Sequence, residues 1–217
     1  TGEDSQKSTP VSVTTNAAIQ FVQPAAQSQA VNPPISVTLN NTAQGNCLVA
    51  AVSYGGPAAG SVNVSDNHGN VFNFVGSGPW LRQSRLFFLP NIPGGNVTIT
   101  ATGAGGATGP CNMCVCEYSG VDLTSGALYS FSTKASPNTG TAGLETLKGV
   151  TVNLAQSGDG AYLVVFAASP TALTPAGGFN VHATSETSIL IEDSFSSIAA
   201  TQTVATDDTT GGSFVPW

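Results

Sequence analysis

Short runs that are either apolar or alternate at a period of two residues recur along this chain and leave little room for helix. Runs such as Ile35-Ser36-Val37-Thr38-Leu39 place apolar side chains on one face and polar ones on the other, the pattern of a half-buried strand. Gly, Pro, Asn and Asp cut these runs short, and no heptad or convincing amphipathic helix interrupts them. Thr, Val, Ser, Ala and Gly are abundant and there is a single Met, a composition poor in helix formers. Strands are expected near 18–22, 35–39, 47–54, 61–65, 71–75, 83–88, 96–101 and 113–118. Others fall near 127–133, 149–154, 161–167, 179–184, 188–194 and 198–204. That is too many for a small immunoglobulin domain, so the reading is all-β, a two-sheet jelly-roll-like β-sandwich with little or no helix. No linker splits the 217 residues, which gives one domain over 17–217 behind an arm at 1–16.

Turn chemistry supports the strand boundaries. Asp66-Asn67-His68-Gly69-Asn70 reads as a hairpin loop between 61–65 and 71–75, with Gly69 supplying a positive φ. Ile92-Pro93-Gly94-Gly95 and Gly158-Asp159-Gly160 mark further turns. Residues 45–53 and 160–168 echo one another, which suits two central strands within one sandwich.

Charge is scarce, at 8% Asp, Glu, Lys and Arg against about 25% in an ordinary domain. Solubility therefore rests on hydroxyl and amide side chains, as on proteins that face the outside world. With only five basic residues and a net charge of −7, no patch for tracking phosphates assembles, which argues against nucleic acid and disfavours an anionic membrane surface. No apolar run reaches transmembrane length; the longest, 161–168, has the length of a buried strand. The chain opens on Thr1-Gly2-Glu3-Asp4 without Met, as a processed mature protein or an excised fragment would. An extracellular or cell-surface setting is the expectation.

In such a setting Cys47, Cys111, Cys114 and Cys116 read as disulfide cysteines, with one bridge involving Cys47. A thiolate metal site, which needs a fourth ligand from Cys47 or a histidine, and free buried thiols are the alternatives. Haem attachment fails because Val115 stands where histidine is required. Glu117 reads as a carboxylate that caps neighbouring backbone or pairs with Arg82 or Arg85, since no second acid completes a glycosidase pair. A sharper alternative makes it the proton shuttle of a Lys–Asn isopeptide bond to Lys134 or Lys148. His68 and His182 belong to no triad, and no nucleophile elbow, zinc helix or phosphate loop occurs. Asp66, Asn67 and Asn70 could offer oxygens to Ca²⁺, but turn chemistry explains them and no cofactor is expected. Glu192-Asp193 and Asp207-Asp208 read as solvated. Trp80, in Gly76-Ser77-Gly78-Pro79-Trp80, either covers a sheet end or stacks on a sugar as a glycan contact. Sequons stand at Asn40, Asn63 and Asn96, and carry meaning only in a host that glycosylates Asn.

The order of several short motifs carries a resemblance. Ile19-Gln20-Phe21-Val22-Gln23 is followed by Gly45-Asn46-Cys47-Leu48-Val49-Ala50-Ala51-Val52-Ser53-Tyr54, then by Val64-Ser65-Asp66-Asn67-His68-Gly69-Asn70-Val71-Phe72. Asn91-Ile92-Pro93-Gly94-Gly95 and Glu117-Tyr118-Ser119-Gly120-Val121-Asp122 complete the series. Over 18–217 the chain resembles an uncharacterised β-sandwich domain of exported bacterial proteins, often set beside immunoglobulin-like or fibronectin-type modules. The resemblance brings no catalytic residue with it, and the cysteine cluster departs from it. Such domains continue past a tryptophan like Trp217 into a last apolar strand. An ending at Trp217 implies an open groove that an extended segment could fill. Val11, Ser12, Val13 and Thr14 form the candidate donor.

These readings converge on a non-catalytic extracellular structural protein, a self-assembling surface or filament subunit using β-strand addition, whose partners are other copies of itself. The alternative is a carbohydrate-binding or adhesion module of a secreted multidomain protein, with glycan as partner. An enzyme is not expected, and neither is insertion into a membrane.

Overall fold

The computed structural model describes residues 19–29, 32–55, 61–78, 82–104, 108–120, 145–146, 150–153, 161–168, 180–185, 189–194, 201–204, 207–208 and 213–216. Among them there is no helix. The strands are β1 (Gln20–Gln29), β2 (Ile35–Thr42), β3 (Cys47–Gly55), β4 (Ser61–Asp66), β5 (Asn73–Gly78), β6 (Arg82–Leu89), β7 (Gly95–Ala104) and β8 (Thr108–Ser119). After them come β9 (Glu145–Thr146), β10 (Val150–Asn153), β11 (Ala161–Ala168), β12 (Asn180–Ser185), β13 (Ile189–Ser194), β14 (Thr201–Val204), β15 (Asp207–Asp208) and β16 (Ser213–Pro216).

The first eight strands make the expected sandwich of two antiparallel sheets. A five-stranded sheet runs β1-β8-β3-β6-β5, and a three-stranded sheet runs β2-β7-β4. Alternation decides which side chains meet between them. Val37, Leu39, Val62, Val64, Val97 and Ile99 point inward from the smaller sheet, against Leu48, Ala50, Val52, Phe87, Met113 and Val115 of the larger. The outward positions of the smaller sheet, such as Thr38, Asn63 and Thr102, are exposed and polar. Burying that apolar surface, at roughly 25 cal/mol per Å², holds the two layers together.

β3 and β8 obey a different rule. Every residue of 47–54 and of 111–118 is buried, so these central strands are covered on both faces. One face meets the smaller sheet. Against the other lie β11, β12 and β13 of a four-stranded antiparallel sheet, ordered β12-β13-β11-β16. His182 on β12 stacks on Phe21 at 3.7 Å between ring centroids and meets Tyr118 edge-on, which ties the added layer to β1 and β8. β3 and β11, the echoing segments, are each central in their own sheet. Two short pairs, β10-β14 and β9-β15, complete the pairing; β9, β15 and β16 are strands the sequence did not lead us to expect. The expected strand at 127–133 lies outside the described residues.

The 66–70 turn departs from the simple hairpin expected of it. Gly69 does adopt a positive φ of 85°. Asp66 Oδ1 accepts from the His68 and Asn70 amides at 2.9 and 2.8 Å, and Oδ2 accepts from Asn70 Nδ2 at 2.8 Å. Yet β4 pairs with β7 whereas β5 pairs with β6, so the chain changes sheets here. What remains of a hairpin is confined to the turn itself: a Ser65–Val71 bridge, the Phe72 amide donating to the Val64 carbonyl, the Asp66 amide donating to the Asn70 carbonyl at 3.0 Å and the Gly69 amide to the Asp66 carbonyl at 3.2 Å.

Candidate functional site

Two places gather polar or exposed chemistry, one near the β1 side of the larger sheet and one at its β5 edge. The first is built around Glu117, whose side chain is 0% exposed. A bulge in the β1–β8 register between Phe21 and Gln23 brings Gln23 opposite Glu117. Gln23 Nε2 then donates to Glu117 Oε2 at 2.6 Å and to the Asn40 carbonyl at 2.9 Å. Glu117 Oε1 accepts from the Ala43 amide at 2.9 Å and from Asn46 Nδ2 at 2.6 Å. The 43–46 turn is zipped in its turn to 91–95: the Gly45 amide donates to the Ile92 carbonyl at 3.0 Å, and the Ile92 amide to the Asn46 carbonyl at 2.9 Å. Glu117 thus ties β1, β8 and two turns into one knot. It caps backbone, as one of its expected roles had it.

The other expected role, pairing with Arg82 or Arg85, is not what holds it. On β3, Glu117 stands beside Leu48 while Arg85 stands beside Val52. Four residues of strand separate those positions, about 13 Å, beyond side-chain reach. Arg85 instead lies over the Phe74 ring at 5.1 Å and hydrogen-bonds the Tyr54 phenol. Lys134 and Lys148, the amines of the isopeptide alternative, lie outside the described residues.

The second place is the edge of the larger sheet at β5, beyond which no strand lies among the described residues. Five strands face three, and β5 overhangs. Phe74 is 52% exposed and Val71 68% exposed, unusual for large apolar side chains. Phe74 meets Phe87 edge-on at 5.8 Å, with Arg85 across its ring. The strand Asn73-Phe74-Val75-Gly76-Ser77-Gly78 carries no charge and no proline, and a bulge between Phe74 and Gly76 is its one irregularity. Sequence reading placed attention on Trp80, which lies outside the described residues, and passed over Phe74.

The cysteines correct an expectation. Cys47, Cys111, Cys114 and Cys116 are four separate buried thiols, with no bridge among them. Register explains it. Cys47 stands opposite Tyr118, Cys116 opposite Val49, Cys114 opposite Ala51 and Cys111 opposite Tyr54, so no cysteine faces another. Cys111 points between the sandwich sheets, while Cys47, Cys114 and Cys116 occupy the other face of the larger sheet. Cys47 and Cys116 are diagonal neighbours, a relation that sets Cα atoms roughly 7–8 Å apart, too far for an unstrained bridge. Burial pushes Cys47 up to about 12, with the Glu117 carboxylate adding to the effect, and burial pushes Cys111 up to about 12 and Cys114 higher still. Thiols held protonated in this way make poor nucleophiles and poor metal ligands. Among the described residues no group of His, Cys, Asp or Glu gathers in an arrangement that would hold a metal ion.

His68 lies in the exposed 66–70 turn, and Asp66 spends its carboxylate on that turn rather than on a cation. Val11, Ser12, Val13 and Thr14 lie outside the described residues. Comparison with protein-family models, with curated proteins and with solved structures finds no match to this chain.

Proposed function

We propose that this chain is a non-catalytic extracellular structural protein, a surface or filament subunit that assembles by adding a β-strand to the open edge at β5. The observation that carries the reading is that edge. β1 contains Pro24 and leans on β2 through Gln23, and the outer side of β4 is bridged by residues 70–72. Among the described residues β5 has neither a proline nor a strand or loop beyond it, and a single bulge is its one irregularity. Unpaired amides and carbonyls flanked by an exposed phenylalanine suit an incoming extended segment, which would satisfy the backbone and bury the ring. Val11-Ser12-Val13-Thr14 of a neighbouring copy is the proposed donor, its two valines spaced to share one face. The scarcity of charge and the resemblance to a sandwich domain of exported proteins support an extracellular place for it. The carboxylate and thiols that could have done chemistry are committed to structure, which supports a non-catalytic role.

Light scattering on the full chain tests this. Concentration-dependent assembly is expected, with loss on deleting residues 1–16 and on Asn73→Lys, which sets a charge on the edge. A full chain that stays monomeric at high concentration ends the proposal. A second reading, a carbohydrate-binding or adhesion module, draws on the same exposed Phe74 ring. It predicts a monomer that is retained on polysaccharide and released by Phe74→Ala.

A further inference from the structure

The outward face of the smaller sheet carries a pattern that the assembly reading does not use. The chain contains Asn40-Asn41-Thr42, Asn63-Val64-Ser65 and Asn96-Val97-Thr98, one sequon on each strand of the β2-β7-β4 sheet. All three asparagines are exposed, and their neighbours Leu39, Val62, Val64 and Val97 are buried in the sandwich core. Alternation therefore sends all three side chains out of the same face. We infer that this face is a glycan-bearing surface, taking N-linked oligosaccharide at Asn40, Asn63 and Asn96.

The local chemistry accommodates the modification. Asn96 Oδ1 accepts from the Asn41 amide at 3.1 Å, a role that survives when Nδ2 becomes a glycosylamide. In the transfer, Nδ2 bonds to C1 of a saccharide carried on a polyprenyl diphosphate. The C1–O bond breaks, the diphosphate leaves, and one Nδ2 proton passes to the transferase's base. Asn63 stands opposite Thr102, six residues along β7 from Asn96, so the attachment points span about 20 Å of the face. Between them the sheet presents uncharged hydroxyls, including the bonded pairs Ser36–Thr100 at 2.8 Å and Thr38–Thr98 at 3.0 Å. Sugars can pack on such a surface without burying a charge.

The fold also dictates when transfer takes place. A transferase of this class reads the hydroxyl two residues after the asparagine. Thr42 is 5% exposed and its hydroxyl donates to the Gly95 carbonyl at 2.9 Å, while the Thr98 hydroxyl is paired with Thr38. Two of the three acceptor motifs are thus locked once the sheet closes, so modification belongs to the nascent chain.

The experiment is secretion of the full chain from a eukaryotic cell that performs N-glycosylation, read by intact mass before and after enzymatic deglycosylation. Three glycans are expected, one lost in each of Asn40→Gln, Asn63→Gln and Asn96→Gln, with a β-sheet circular dichroism spectrum unchanged by deglycosylation. Folded, unglycosylated chain given purified transferase and donor should stay bare at Asn40 and Asn96, while the denatured chain is modified there. Secreted protein without glycan at these asparagines overturns the inference. So does a glycosylated chain retained as misfolded while the triple Gln variant is exported, because the face would then not tolerate sugar. Modification of the folded chain at Asn40 or Asn96 refutes the timing.

Discussion

Glu117 sits at 0% exposure among neutral donors, and its hydrogen bonds set what a substitution there must do. In Glu117→Gln one carboxylate oxygen becomes an NH₂ that faces Gln23 Nε2 on one side or the Ala43 amide and Asn46 Nδ2 on the other. Donor meets donor, and a buried polar group goes unpaired. The expected loss is about 2 kcal/mol of unfolding free energy, measured by denaturant titration. A loss below measurement error would mean that the knot is not what holds the two turns. The thiols make a second prediction at this scale. Burial raises Cys47 and Cys111 from 9.0 to about 12, so the folded state keeps protons that the unfolded chain gives up. Stability is full below pH 9 and falls as pH climbs from 9 towards 12, each of these thiols costing about 1.4 kcal/mol at pH 10. The Tyr54 phenol, raised chiefly by burial, acts in the same direction. Denaturant midpoints at pH 7 and pH 10 check this, and Cys47→Ala should shrink the difference between them.

At the scale of elements, the turn after Pro93 is where backbone geometry leaves least freedom. Gly94 and Gly95 have φ of 83° and 89°, a region that costs an L-residue about 1 kcal/mol. Their surroundings differ. A Cβ on Gly94 would come within 2.8 Å of the Gln44 amide nitrogen, whereas one on Gly95 meets nothing within 4 Å. Gly95→Ala should therefore show only the conformational cost in thermal melts. Gly94→Ala should lose clearly more, because the 43–46 turn would have to move away from Ile92 and loosen the partners of Glu117. Equal losses from the two would refute the close approach. The β1 bulge belongs to the same scale: without the slip between Phe21 and Gln23, Gln23 would not stand opposite Glu117.

For the whole molecule the decisive feature is layering. β3 and β8 lie beneath a sheet on each side, and all four cysteines lie on those two strands. None should react with a thiol reagent in the native protein, and all four should become reactive together as the sandwich unfolds. Intact mass after alkylation, with and without denaturant and without reductant, checks this. A native protein lighter by the hydrogens of a disulfide would show that the register described here does not hold in solution.

Short alternating and apolar runs were enough to determine the all-β class and most strand positions through β8, because a half-buried strand must alternate and one covered on both faces must be apolar, whatever it packs on. It also marked Gly69 as a turn residue and the echoing segments as central strands, since both follow from local chain chemistry. Pairing is different in kind. That β4 and β5 part company into separate sheets, that Glu117 meets Gln23 and Asn46 rather than an arginine, and that no cysteine faces another all depend on register. A shift of one residue turns every side chain to the opposite face. The exposure of Phe74 depends on one thing more, the mismatch between five strands and three, which leaves an alternating strand without a layer to bury its ring. Those outcomes are fixed by contacts between distant segments, and only the tertiary structure decides them.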